Sequence, residues 1–398
     1  MNISQRGASF PASPIRKLVP HAEAAKKTGA TVFHLNIGQP DLPTPPAFWE
    51  RLAHYHAHDR VLAYGHSAGQ PEFREGLARY YRGCGYDVHA DDVTVTTGGS
   101  EAILFALLAI CDAGDEVIVF EPFYTNYNAF ALSAGVRLVP VTCRAEDGYH
   151  LPPMQDIASR ITPRTRALLI CSPNNPTGTV LRRDELEGLA GLCRDHDLFL
   201  LSDEAYREFV YGEQHTGVFE LGLGERAVLL DSISKRFSAC GARIGCAVTK
   251  HQALQKALLH LGQARLCPPS LEQFAALPLI DLPASYYADV QAEYRRRRDV
   301  VMEGLAAIPG VLCREPQGAF YVMVKLPIAD SCDFAIYLLD HFRHDNATVM
   351  VAPGDGFYAT PGMGHDELRI AYVLETDHLR RAMECLRLGL AAYQALGR

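Results

Sequence analysis

Lys235 lies in the stretch Ser232-Ile233-Ser234-Lys235-Arg236-Phe237-Ser238-Ala239-Cys240-Gly241-Ala242-Arg243, with two hydroxyls just before it and a guanidinium eight residues after it. An amine forms a Schiff base with an aldehyde, and hydroxyls together with a guanidinium hold a phosphate. The combination points to an aldehyde that carries a phosphate, namely pyridoxal phosphate. A Ser-x-Ser-Lys run by itself is usually an ordinary solvated lysine. The reading therefore depends on whether the other parts of a cofactor site are present.

Four further groups supply them. Thr97-Gly98-Gly99-Ser100-Glu101-Ala102 brings small residues and free N–H groups to a helix start, where a phosphate can sit. Its order differs from both the Walker pattern and the dinucleotide fingerprint, so ATP and NAD lose their best support. Pro122-Phe123-Tyr124 offers an aromatic face for a heteroaromatic ring, and Ser172-Pro173-Asn174-Asn175-Pro176-Thr177-Gly178 offers an amide for an oxygen on that ring. Ser202-Asp203-Glu204-Ala205-Tyr206 follows a very apolar run. A carboxylate there, paired with a pyridine nitrogen, keeps the nitrogen protonated and makes the ring an electron sink, while Tyr206 reaches the ring hydroxyl. Each group has a plainer reading in isolation: a cap, a core aromatic, a turn, an N-cap aspartate.

The elements that must position these groups show as an alternation of apolar strands and amphipathic helices. Strands are predicted at 93–96, 116–120, 137–141, 167–171, 198–202, 227–231 and 245–248, with helices at 101–111, 126–133 and 184–196. This is a three-layer α/β/α domain with a mostly parallel sheet, and the chemistry-bearing groups follow strand ends, where such sheets bind ligands. After Pro283 come a long helix over 286–308, a strand near 318–324, a helix near 333–344, strands near 348–351 and 368–372, and a last helix from Asp377. These read as a smaller α+β domain. Residues 1–47, rich in Pro and Gly, read as an irregular arm that contributes to it. The expected division is 1–47 (arm and part of the small domain), 48–285 (large cofactor-binding domain) and 286–398 (small domain with the long connecting helix).

Asn174-Asn175-Pro176-Thr177-Gly178, Asp203-Glu204-Ala205-Tyr206, Ser232-Ile233-Ser234-Lys235 with Arg243, and Leu368-Arg369-Ile370 occur in that order. Together they resemble the class I/II aminotransferases of the fold-type I pyridoxal phosphate enzymes, the aspartate aminotransferase-like group. The resemblance runs from Gly38-Gln39-Pro40 to the last helix. It implies that Lys235 carries the Schiff base, that Asp203 pairs with the pyridine nitrogen, and that Asn175 and Tyr206 hold the ring hydroxyl. Tyr124 takes the ring-stacking position, and Gly99, Ser100, Ser232, Ser234 and Arg243 form the phosphate cup. Tyr64 matches a tyrosine that reaches the partner's phosphate across a homodimer interface. Arg369 matches the guanidinium that clamps the substrate α-carboxylate, with Gly38 and Asn175 beside it.

The implied activity is ping-pong transfer of an amino group from an L-amino acid to a 2-oxo acid, with Lys235 as the base at the substrate α-carbon and pyridoxal 5'-phosphate as cofactor. The alternative is a lyase of the same fold, for example one catalysing β-elimination. A non-catalytic regulator is disfavoured by the intact Lys235. For the substrate side chain, His66, Phe10, Tyr64, Phe320 and Tyr358 are candidate pocket residues, and Thr125-Asn126-Tyr127-Asn128 supplies polar groups that contact substrate or cap a helix.

Composition sets outer bounds. A formal charge of -8 gives no reason to expect nucleic acid, and the run Arg295-Arg296-Arg297-Arg298 within the long helix reads as a solvated or intersubunit face. No secretory signal or membrane span is apparent, so the cytoplasm is expected. The eleven cysteines form no framework, and Cys111, Cys171 and Cys193 read as reduced packing residues. The sixteen histidines form no metal-ligand set.

Overall fold

The computed structural model describes residues 1–11, 16–58, 60–212 and 214–397. Its first strand, β1 (Thr31–His34), is followed by seven that share one sheet: β2 (Val93–Thr96), β3 (Glu116–Glu121), β4 (Arg137–Thr142), β5 (Thr165–Cys171), β6 (Phe199–Asp203), β7 (Ala227–Ser232) and β8 (Gly245–Thr249). Their apolar runs are continuous because both faces are covered. Val117 and Val119 pack with the helices Gly98–Ile110, Asn126–Ala134 and Gln252–Arg265, while Ile118 and Phe120 pack with Pro71–Gly83 and Arg183–Asp195. The period of two thus feeds two separate apolar layers. Each fully buried aliphatic side chain in them contributes about 1.5–3 kcal/mol.

The sheet order is β2-β8-β7-β6-β5-β3-β4, with β8 antiparallel to both its neighbours and every other neighbouring pair parallel. That single reversal matters for the site. It brings the start of β8, and Arg243 just before it, to the edge where the parallel strands end. Gly245 pairs there with Thr96 on one side and Ser232 on the other. A Cβ at Gly245 would collide with the backbone of Gly98 and Gly99, so only glycine lets the helix start approach this closely.

The remaining strands, β9 (Tyr321–Lys325), β10 (Ala347–Met350), β11 (Ala352–Pro353) and β12 (Glu367–Ala371), belong to the smaller α+β unit. There β1 pairs in parallel with β10, and β12 lies antiparallel between β11 and β9. The helices Ala284–Ala306, Ser331–Asp340 and Thr376–Gln394 close over them, and Leu18, Ala22, Phe33 and Leu35 from the N-terminal segment complete the same apolar cluster.

Two expectations are corrected. Part of the segment expected to be irregular is regular, because Val19–Lys27 is helical and Thr31–His34 is a strand. The pairing that makes β1 a strand lies more than three hundred residues away in β10, which no local pattern reveals. The four consecutive arginines do not share one solvated face. Successive helical residues turn about 100°, so Arg295 and Arg296 are exposed while Arg297 and Arg298 are 2% and 7% exposed. Arg297 pairs with Glu293 at 2.6 Å and Asp41 at 2.5 Å, and Arg298 pairs with Asp299 at 2.7 Å and Glu315 at 2.9 Å. As expected, Cys111, Cys171 and Cys193 are buried free thiols.

Candidate active site

The carboxyl ends of β2, β3, β5, β6 and β7 open onto a cavity of about 490 Å³, lined on the far side by Asn36 and Gly38, by Tyr321 of β9 and by Arg369 of β12. Twelve of the thirteen residues assigned from the sequence to the cofactor or the substrate α-carboxylate line it: Gly38, Gly99, Ser100, Tyr124, Asn175, Asp203, Tyr206, Ser232, Ser234, Lys235, Arg243 and Arg369. Tyr64 does not. It is 81% exposed and, with His66, lines a separate surface cavity of about 410 Å³.

At one end of the cavity a helix start, a capped turn and a cation meet. Thr97 makes no side-chain cap for the helix Gly98–Ile110, so the first-turn N–H groups beside Gly99 and Ser100 remain available for an anion. Gly98 has φ +77°, and the Arg243 guanidinium packs where a Cβ would stand. Ser232 caps the turn Ile233–Arg236: its Oγ accepts the Ser234 N–H at 3.1 Å and donates to the Ser234 Oγ at 2.7 Å.

Lys235 sits in the middle. Its Nζ donates to the Gly38 carbonyl at 2.8 Å and lies 3.7 Å from Cys240 Sγ. Burial pulls its pKa below the usual lysine value, and Arg369 and Arg243 push the same way against Cys240. A neutral amine, the nucleophilic and basic form, is thereby favoured.

Asp203 is 8% exposed. Its carboxylate accepts the Tyr127 hydroxyl at 2.8 Å and the Ala205 N–H at 3.2 Å. Among the described residues it has no ion-pair partner, and burial pushes its pKa up to about 6. A protonated ring nitrogen would supply the missing cation.

Arg369 presents the converse case. It is 3% exposed and faces no carboxylate among the described residues. Its Nη1 donates to Asn175 Oδ1 at 2.9 Å, its Nη2 donates to the Asn36 carbonyl at 2.5 Å, and its Nε is buried without a partner. The guanidinium lies between the rings of Tyr321 and Phe357, 4.6 and 4.9 Å from their centroids. A buried cation with an idle donor is suited to an anionic ligand. Gly38 leaves space beside it, since a Cβ there would strike the Tyr321 hydroxyl.

Pyridoxal phosphate fits this set of groups. The helix start, Ser232, Ser234 and Arg243 match its phosphate, the uncompensated Asp203 its ring nitrogen, and Lys235 its aldehyde.

The aromatic candidates for a side-chain pocket fare differently. Phe320 is buried among Tyr206, Phe209, Tyr294 and Tyr321, and Tyr358 donates its hydroxyl to Glu367 at 2.6 Å, so neither lines the cavity. Phe10 is exposed elsewhere. The residues around the opening that do line it, Arg16, Val19 and Ile37, went unnoticed because they come from the segment expected to be irregular. Tyr321 was also missed. It bonds the Tyr206 hydroxyl at 2.9 Å, and only the period of two along β9 separates it from the core residue Phe320.

The sequence pattern of the aminotransferase class I and II family matches residues 30–386. The arginine–pyruvate transaminase of Pseudomonas aeruginosa is 36% identical over 94% of this chain and 94% of its own length. The aspartate/prephenate aminotransferase of Thermus thermophilus is 34% identical over 90% and 91%. Among solved structures, an aspartate aminotransferase of Thermotoga maritima superposes with TM-score 0.90 at 29% identity, covering 98% of this chain and 100% of its own. The match spans both the sheet that carries Lys235 and the small unit that carries Arg369, so the chain belongs to the class I and II aminotransferases, pyridoxal phosphate enzymes of fold type I that act on amino acids.

Proposed function

We propose that the enzyme transfers the amino group of an L-amino acid to a 2-oxo acid in a ping-pong cycle. The observation that carries this reading is the buried, carboxylate-free Arg369 in the same cavity as Lys235. An arginine so placed retains the α-carboxylate, which leaves the α-proton as the group to be moved. Pyridoxal phosphate, when bound, supplies an aldehyde for the amine and a ring that draws electrons from the α-carbon.

The chain's own groups do the rest. Arg369, with Asn175 beside it, holds the α-carboxylate bidentately and sets the α-carbon near Lys235. The Lys235 amine takes the proton at that carbon and would return it, across the nitrogen, to the carbon that was the cofactor's aldehyde. Asp203 holds the proton on the ring nitrogen, and Asn175 and Tyr206 hold the ring oxygen. Tyr124 covers the ring face, while Gly99, Ser100, Ser232, Ser234 and Arg243 hold the phosphate. Tyr64, exposed and outside the Lys235 cavity of its own chain, completes the phosphate site of a second copy in a homodimer. The proposed domain division is 48–285 against 1–47 with 286–398, supported by the separate sheets of the two units.

The named relatives include an arginine–pyruvate and an aspartate/prephenate aminotransferase, so cationic and anionic donors both belong in the test beside neutral ones. The holoenzyme is mixed with each L-amino acid without an acceptor, and absorbance and 2-oxo acid are followed. One equivalent of oxo acid with conversion to pyridoxamine phosphate is the expected result. Repeated turnover that releases ammonia or an amine would instead assign the lyase reaction.

A further inference from the structure

Cys240 touches three parts of the site at once. Its Sγ lies 3.7 Å from Lys235 Nζ and donates to the Ser234 carbonyl at 3.3 Å, while its own carbonyl accepts Arg243 Nη1 at 2.9 Å. It is partly buried and lines the cavity. No reading of the family motifs from the sequence gives it a role.

The geometry is directional. The S–H is directed at Ser234, so the sulfur lone pairs are what the amine meets. Lysine has a flexible four-carbon stem and three rotatable donors, and two fixed acceptors, the Gly38 carbonyl and this sulfur, define where its nitrogen rests. The turn that carries Cys240 is itself tightly determined. Ser238 and Arg243 both hold left-handed backbone, at φ 49° and 51°, which is unfavourable for residues with a side chain. The Ala239 N–H donates to the Ser234 carbonyl at 3.1 Å, and Thr44 donates to the Ser238 carbonyl at 2.8 Å. A strained turn held in this way keeps the sulfur in one place.

We propose that Cys240 is a positioning residue for proton transfer: its sulfur holds the freed Lys235 amine at the substrate α-carbon, and its carbonyl ties that position to Arg243 in the phosphate cup. The inference rests on the transamination reading above. A misplacement of about 1 Å in a reacting group costs on the order of a hundredfold in rate, so loss of one of two acceptors should lower the proton-transfer rate by about ten- to a hundredfold.

The test is a single-turnover half-reaction of wild type, Cys240→Ala and Cys240→Ser holoenzymes, using the best amino donor in α-protiated and α-deuterated form. Cys240→Ala should slow the half-reaction by that factor and enlarge the deuterium effect, with donor affinity, cofactor affinity and melting temperature little changed. Cys240→Ser should recover most of the rate, because a hydroxyl keeps both bonds. A Cys240→Ala rate and isotope effect equal to wild type would overturn the inference. So would losses shared by affinity, stability and rate that serine does not rescue, since those describe a packing residue. Failure of the wild-type holoenzyme to form 2-oxo acid from any donor overturns the transamination reading and this inference with it, whereas an active wild type with an unaffected alanine variant removes this inference alone.

Discussion

The wall of the cavity and the layer just beneath it are built from neighbouring residues with opposite fates. Asp203 faces the cavity with no cation, while Glu204 beside it is paired with His215 at 3.0 Å and Arg207 at 3.5 Å. Lys235 faces the cavity, while Arg236 is ion-paired with Asp231 out of solvent. Ser232 faces the cavity, while the Asp231 carboxylate is satisfied from below by the Tyr81 hydroxyl at 2.8 Å. A shift of one residue at a strand end therefore decides whether a polar group waits for a ligand or closes a structural network. The wall has left its charges uncompensated. The layer beneath has compensated its own, which is what keeps so many buried charges tolerable.

Lys235→Met gives the sharpest contrast. Removing the amine should lower the half-reaction rate by at least about 10³-fold, near the upper range for loss of a general base. Stability should not fall. Burial depresses the lysine pKa, so folding disfavours the ammonium at pH 7, and methionine fills the same volume without that cost. Thermal unfolding of the cofactor-free proteins, beside a half-reaction assay, checks both. A large loss of stability would erase the distinction between wall and layer.

Glu204→Ala should do the opposite. It leaves Arg207 and His215 without their buried carboxylate, and breaking such a pair costs about 3–5 kcal/mol. Urea unfolding should show this loss, while donor affinity of the protein that remains folded stays within a few fold of wild type.

Much of the wall was legible in the sequence because strand and turn chemistry are local. Asp203, Lys235 and Asn175 stand at the ends of apolar runs, and the structure ends β6, β7 and β5 there within a few residues. The layer beneath was not legible. Tyr81 and Asp231 are 150 residues apart, and Tyr127 and Asp203 are 76 apart. The opening of the cavity was missed for the same reason, since Val19 and Ile37 reach it only because β1 pairs with the distant β10. The arginine run misled because four consecutive residues go most of the way round a helix and cannot all share one face.

Asp203→Asn tests the wall through pH. The carboxyl group has an ordinary value of 3.8 and is pushed up to about 6 in the folded chain. A raised folded value means that the proton is held more tightly in the fold, so the stabilising contribution is complete below about pH 4 and is lost as pH rises through 6. Without cofactor, the asparagine variant should be more stable than wild type at pH 8 by roughly 2–3 kcal/mol, since each tenfold change in proton affinity is worth about 1.4 kcal/mol. Urea unfolding should show that advantage vanish near pH 4. The loaded variant should nonetheless be slow in the half-reaction.

Tyr127 belongs to both sides, and its substitution should have the smallest effect. Its hydroxyl serves the Asp203 carboxylate, while its ring packs in the layer behind, 6.0 Å from Phe123 and 5.6 Å from Tyr124. Phenylalanine keeps the packing and removes only the donor. The carboxylate then loses a hydrogen bond to its charged form, so its pKa should rise further above the ordinary value. The cofactor-free variant should lose about 1.5 kcal/mol at pH 8, the low end for a hydrogen bond to a charged group. It should lose less at pH 4, where the acid is protonated and the bond is between neutral groups. An equal loss at both pH values would mean that the hydroxyl serves the layer's packing and leaves Asp203's charge untouched. A loss confined to the higher pH would place Tyr127 as a group through which the paired layer supports the unpaired wall.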